Sequence, residues 1–411
     1  MGTFHRVYLP LCVHKGLNDL HKNRSSGAQE LSMKALDIFK EAVKSKDCRI
    51  ISKNAFELWK YLLNIGWNLT QIRPNMKASI SFGIINVLKK SKQVLQEKEK
   101  GRKMSFEEFE NIIIDLIDQT KETFKETEKK INQNFLNALF PSLGDKQQQE
   151  EKEMRPPLKI HIMTMSYSST IYSALSSLIQ NFINYHSFLS KEDYDTSSLT
   201  ITIMESRPLN EGATLAQKLS FFLPLSTNIP SSPSTPSTLN IYNKVCIQVI
   251  TDVSCNYFMS SVTHVLLGAD RILGNSGDII NKIGSMSLAL SANYFSKPIY
   301  IISKSDKIAT FSPSEDDSLG EVEQENKKEG GEKMEENDSS ELTNSYGQDL
   351  INDIKEKNVI VRNIYFEMVE SKFINGYITE IGDDDNSMIN VNRIKELWDQ
   401  RKDMEKVFDE L

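Results

Sequence analysis

Asp270 is the side chain in this sequence most clearly placed for chemistry. It follows the apolar run Val265-Leu266-Leu267 and a Gly268-Ala269 step, and it precedes Gly274-Asn275-Ser276-Gly277-Asp278 and Asn281-Lys282-Ile283-Gly284. In an open parallel α/β sheet, ligands bind in the crevice beyond the carboxyl ends of the strands, so an acid at a strand end is expected to face a pocket. The structural alternative for Asp270 is to cap the turn after its strand. The glycines permit positive φ or close backbone approach. A helix is expected to open around Asn281 and Lys282, where free amides would receive an anion. Lys282 would add a positive charge there, and Asn281 is either a ligand group or a helix cap. The chemistry implied is recognition of a phosphate-bearing ligand.

The elements that must hold these residues follow from periodicity. After Pro156-Pro157 short apolar runs alternate with helical stretches. Strands are expected over 158–163, 199–204, 245–250, 262–267 and 299–302, with helices over 170–185, 214–222, 256–261 and 281–294. That alternation is the pattern of βαβ units and a doubly wound parallel sheet covered on both faces. Upstream, Leu31, Ala35, Leu36, Ile38, Phe39 and Ala42 form a helical stripe. Further helices are expected over 54–66, 79–98 and 105–138. The expected organisation is an arm over 1–23, an all-helical domain over 24–140, a linker over 141–157 and an α/β domain over 158–411. Two inserts in that domain read as disordered: 228–240, rich in Pro, Ser and Thr, and the acidic 312–344. A strand at 358–361, another within 374–381 and a closing helix over 392–409 complete the expectation.

Composition narrows the function classes. The net charge is −7, but residues 315–342 hold twelve acids against three lysines, or −9, so the rest of the chain is about +2. There is no basic surplus for nucleic acid. No apolar run approaches the roughly 20 residues that span a bilayer. Cys12, Cys48, Cys246 and Cys255 lack metal-type spacing, so reduced thiols in a cytoplasmic setting are expected, with no metal and no cofactor. His161 and His264 alternate with apolar strand residues and read as packing residues; Asp252, after the third strand, is a further polar candidate for the crevice.

Five stretches taken in order carry a resemblance: Asn23-Arg24-Ser25-Ser26-Gly27-Ala28, Ile72-Arg73-Pro74-Asn75-Met76, Met163-Thr164-Met165-Ser166-Tyr167-Ser168, Glu205-Ser206-Arg207-Pro208, and Gly268-Ala269-Asp270-Arg271 through Gly284. Together they resemble the superfamily of the α, β and δ regulatory subunits of translation initiation factor 2B, methylthioribose-1-phosphate isomerase and ribose-1,5-bisphosphate isomerase. The resemblance implies a helical N-terminal domain and a Rossmann-like C-terminal domain. It places Arg24, Gly27, Arg73, Arg207 and Lys282 in a sugar-phosphate cradle, with Asn281 as a further ligand-binding candidate; the competing reading of Arg24 and Arg73 is that they tie the helical domain to the sheet by ion pairs. It puts Asp270 on the catalytic aspartate of the isomerases, and Ser166 where those enzymes carry a catalytic cysteine. A serine hydroxyl needs a partner base to act near neutral pH, and Met165 stands where a histidine would be.

Two functions follow. The first is a regulatory or assembly protein related to the subunits of factor 2B, a guanine nucleotide exchange complex. It would keep a sugar-phosphate or nucleotide-sugar pocket and associate with itself or with paralogous subunits through the C-terminal domain, with translation initiation factor 2 as a further partner. The alternative is a sugar-phosphate aldose–ketose isomerase.

Overall fold

The computed structural model describes residues 8–23, 28–72, 77–99, 104–143, 157–186, 196–223, 244–309, 336–382 and 387–411. The helical half comprises α1 (Leu11–Lys22), α2 (Ala28–Val43), α3 (Lys46–Ile51), α4 (Ala55–Gln71), α5 (Lys77–Glu99) and α6 (Phe106–Leu139). Three of these starts are set by side-chain caps: Ser45, Asn54 and Ser105 each accept an amide of the first turn, satisfying a donor the helix itself cannot. The expected arm is therefore helical from Leu11 onward, and Val13 and Leu20 are buried in the same core as Leu36, Trp59 and Phe109.

The second half contains β1 (Lys159–Met165), α7 (Ser169–His186), β2 (Ser198–Met204), α8 (Glu211–Ser220), β3 (Val245–Ile250), α9 (Cys255–Met259), β4 (His264–Leu267), β5 (Arg271–Leu273), β6 (Ile279–Lys282), α10 (Ser285–Tyr294), β7 (Ile299–Ile302), β8 (Ile308–Ala309), α11 (Ser340–Thr343), α12 (Gln348–Glu356), β9 (Phe366–Val369), β10 (Gly376–Ile378) and α13 (Val391–Glu405). Six strands form one sheet in the order β10-β7-β4-β1-β2-β3, each pair parallel. Successive side chains on a strand point to opposite faces. Ile162 and Leu266 accordingly join the core made with α7 and α8, whereas Met163, Val265 and Leu267 join the core made with α10. The expected doubly wound sheet after a helical N-terminal part is what the chain forms.

Register fixes the functional edge. Met165 pairs with Met204, and Met204 with Ile250, so Ser166, Glu205 and Thr251 emerge at one level. Met163 pairs with Val265, and Leu267 with Ile301, which brings Gly268 and Ile302 to that same edge. Strand order reverses between β1 and β4, and that reversal is where such sheets open a crevice.

Several expectations are corrected. Asn281 and Lys282 lie on β6, not at a helix start; β5 and β6 form an antiparallel hairpin within a second sheet of order β8-β5-β6-β9. The helix begins only at Ser285, because Gly284 has φ 100°. Residues 358–361 belong to no strand, and β9 takes the ladder position beside β6. The insert 228–240 and the part of the acidic insert up to residue 335 lie outside the described residues. Its last part is structured: Glu336 bridges Ile364, and α11 follows. Among the described residues no helix is long and apolar enough to cross a membrane.

Candidate functional site

The loops after β1, β2 and β3 meet beside the reversal point, and serines at left-handed φ turn the first two. Ser166 (φ 58°) follows β1 and Ser206 (φ 61°) follows β2. The Ser166 amide donates to Ser206 Oγ at 2.7 Å. The amides of Ser206 and Arg207 donate to the two carboxylate oxygens of Asp252, each at 2.8 Å. Asp252 is thus a clamp on the loop after β2 instead of a group offered to the crevice. Arg207 is held half-buried, with its guanidinium donating to Ser345 Oγ at 2.6 Å.

At the centre stands a residue that none of the five stretches contained. Glu211 opens α8, where the helix dipole favours an acid. Its Oε2 lies 2.9 Å from the Lys282 ammonium and accepts from Ser166 Oγ at 3.3 Å, while its Oε1 accepts from the Tyr365 hydroxyl at 2.8 Å. The Lys282 side chain is 4% exposed. Its ammonium meets Glu211 as an ion pair outside hydrogen-bond directionality, and it sits 3.3 Å from the centroid of the Tyr365 ring, a cation–π contact. Burial, then the charge and hydrogen bond of Glu211, and further the Asp270 charge push the Tyr365 phenol above its usual range. Tyr365 therefore stays a proton donor. The signal for Glu211 was present in Asn210-Glu211-Gly212, an acid at a helix start just after a strand end; Tyr365 arrives from far along the chain and left no local signal.

Asp270 sits past the end of β4, half-buried, its amide donating to Ile280 O at 2.9 Å. Its carboxylate is near enough to Tyr365 to oppose phenol ionisation. Ser166, Glu211, Lys282, Tyr365 and Asp270 thus form one polar neighbourhood at the reversal point. Asn281, 8% exposed, donates to Ser285 Oγ at 2.9 Å and orients the first residue of α10. The amides expected to receive a phosphate at that helix start are already engaged. Glu367 Oε1 accepts from Gly284 at 2.6 Å and Met286 at 2.9 Å, so the chain supplies its own carboxylate there. Arg24, Gly27 and Arg73 lie outside the described residues.

His161 and His264 are packing residues, as their alternation with apolar neighbours predicts. His161 Nε2 bonds Thr202 Oγ1 at 2.7 Å, and His264 rests edge-on against Phe140 with ring centroids 5.1 Å apart. Cys255 is buried in the α10 core. Among the described residues no group of three His, Cys, Asp or Glu side chains is arranged for a metal.

The architecture recurs in solved structures. A translation initiation factor eIF-2B from Pyrococcus horikoshii superposes with a TM-score of 0.55 at 17% identity, over 90% of this chain and 96% of that one. The 5-methylthioribose 1-phosphate isomerase of the same organism gives 0.54 at 16% identity, over 96% and 88%. In sequence, the methylthioribose-1-phosphate isomerase of Trichoplax adhaerens is 30% identical over 178 residues, 43% of this chain and 39% of that protein. The enzyme of the same name from Bacillus thuringiensis is 32% identical over 138 residues, 33% of this chain and 34% of its own length. The matched part is thus about a third to two-fifths of those curated relatives. Residues 24–221 and 237–383 match the Initiation factor 2 subunit family, well over half of the sequence, and the chain belongs to that family.

Proposed function

We propose that the crevice binds a phosphorylated sugar and supports aldose–ketose isomerisation. This is the alternative reading of the sequence, and the isomerase names of the relatives favour it over a purely regulatory role. The observation that carries it is the hydrogen bond from Ser166 Oγ to Glu211, which gives the hydroxyl in the cysteine position the carboxylate partner it lacks in the β1 motif. In the reaction an acid protonates the ring oxygen as its bond to C1 breaks. Hydrogen then passes from C2 to C1, oxidising C2 and reducing C1, so proton-exchanging groups must flank the two carbons. Asp270 is assigned to one side, and Ser166 with Glu211 to the other. Arg24, Arg73 and Arg207 are assigned to the phosphate, where a guanidinium can fork two hydrogen bonds. The test is a ketose-formation assay with 5-methylthioribose 1-phosphate and ribose 1,5-bisphosphate. Turnover that Asp270→Asn abolishes supports the reading; no turnover with either substrate sinks it.

A second reading is ligand binding without turnover in a factor 2B-like assembly. It is favoured by the missing thiol and by the neutralisation of Lys282 by Glu211. Saturable stabilisation by a sugar phosphate without product, together with co-purification of paralogous subunits or translation initiation factor 2, would select it.

A further inference from the structure

Among the described residues a cavity also lies away from the crevice. It has a volume of about 170 Å³ and lies at the other end of the same sheet edge, beyond the carboxyl ends of β7 and β10 and beneath α5 and α6. An engineered cavity of about 150 Å³ accommodates a six-carbon ring, so this one is large enough for a small metabolite.

Its lining is polar and selective. Lys304, two residues past the end of β7, is 4% exposed, and its ammonium has no hydrogen-bond partner among the described residues, though the carboxylates of Asp306, Glu128 and Glu380 act on it through charge. A buried charged group is ordinarily paired. Around it, Thr120, Thr123 and Thr127 line the wall along one face of α6, and each donates its hydroxyl proton to a carbonyl of its own helix at 2.7–2.9 Å. A hydroxyl has one proton and two lone pairs, so all three oxygens remain as acceptors. Asp306 and Glu380 add carboxylates. Each is already held from behind: Asp306 accepts from Ser79 Oγ at 3.3 Å, and Glu380 accepts from the Ser305 amide at 3.0 Å. Lys90, Lys130 and Glu126, all exposed, stand on the rim.

A ligand that completes this cavity must offer an anionic group to Lys304 and several hydroxyl donors to the threonine and carboxylate oxygens. Water supplies the donors but not the charge, and a bare inorganic anion supplies the charge but not the donors. We propose that the cavity beneath α5 and α6 is a second binding site, for a small hydroxylated anion of the phosphorylated-polyol class, with Lys304 as its anchor. The site is separate from the crevice at β1 and β4, yet one residue joins them: Lys307, three positions after Lys304, donates its ammonium to the carbonyl of Ala269, next to Asp270.

The test is calorimetric titration of the full chain, its Lys304→Met variant and its Asp270→Asn variant with glycerol 3-phosphate, with inorganic phosphate as the comparison. Methionine keeps most of the length and the apolar stem of Lys304 and removes a buried ammonium that makes no hydrogen bond, so that variant is expected to melt close to the parent. The expected result is saturable binding of glycerol 3-phosphate by the parent and by Asp270→Asn, at least tenfold weaker in Lys304→Met, with inorganic phosphate weaker than glycerol 3-phosphate throughout. Binding unchanged in Lys304→Met, binding lost only in Asp270→Asn, or no binding by the parent would each overturn the proposal. Absence of isomerase turnover with the Lys304-dependent binding intact would count against the crevice reading alone.

Discussion

Glu211 Oε2 meets Lys282 at 2.9 Å and Ser166 Oγ at 3.3 Å, while Oε1 holds the Tyr365 hydroxyl. Replacing it with glutamine keeps the shape and deletes the charge, leaving a nearly buried ammonium without its counter-ion. Such a loss costs about 2–3 kcal/mol, so Glu211→Gln is expected to lower the urea midpoint measurably. Ser166→Cys probes the chemistry itself. Lys282 favours the thiolate and Glu211 opposes it, and the two lie on the same oxygen's flank. A thiol is nevertheless a far better proton-exchanging group near neutral pH than a hydroxyl. If the crevice is an isomerase site, Ser166→Cys raises the rate of ketose formation by about 10²-fold, the lower end of what a positioned acid–base group contributes. An unchanged rate with folding intact would remove Ser166 from the reaction.

At the scale of elements, the central sheet was legible because its strands are short apolar runs punctuated by helices, and a parallel strand buried on both faces leaves that trace directly. The second sheet was not. Its strands are two to four residues long, and β6 pairs with β9 across the whole acidic insert, so no local period announces it. Reading a helix through Asn281-Lys282-Ile283 failed for a related reason: the spacing of apolar residues there fits either period, and only the positive φ of Gly284 separates strand from helix. The candidate site was legible only in its local motifs. Ser166, Arg207 and Asp270 stand in contiguous motifs, whereas Tyr365 and Glu367 reach the crevice through that second sheet. Glu367 gives this a testable form, since its carboxylate caps α10 through two amides. Glu367→Ala is expected to cost about 1–2 kcal/mol by leaving those donors without a partner and removing an anion from the helix start, read as a drop in the chemical-denaturation midpoint. Gly212→Ala should be worse, because a Cβ there falls on the carbonyl oxygen of Met204, and the joint between β2 and Glu211 has to shift.

Across the whole molecule, one helix belongs to both halves. α6 has 34 residues and is about 51 Å long at the usual rise per residue. Phe109, Ile113 and Ile117 are packed in the helical core, whereas Ile131 and Phe135 are packed against the sheet. The chain end reinforces the join, because Val407 after α13 is buried in the helical core. The halves are therefore expected to unfold together, and a group at their junction should tune global stability. His264 on β4 is such a group, lying between Phe140, just past α6, and Tyr300 of β7. Burial lowers its pKa below the ordinary 6.5, and burial likewise lowers that of His161. The sign follows from proton counting. Below pH 6.5 the unfolded chain binds protons that the folded chain refuses, so stability falls as pH drops from about 6.5 through the lowered folded values, and the penalty vanishes above 6.5. His264→Phe supplies an aromatic ring that cannot titrate. The difference in urea midpoint between pH 7.5 and pH 5.5 should shrink in that variant relative to the parent, while the midpoint at pH 7.5 changes little. An unaltered difference would mean that the histidine at the junction takes no part in the acid sensitivity of the fold.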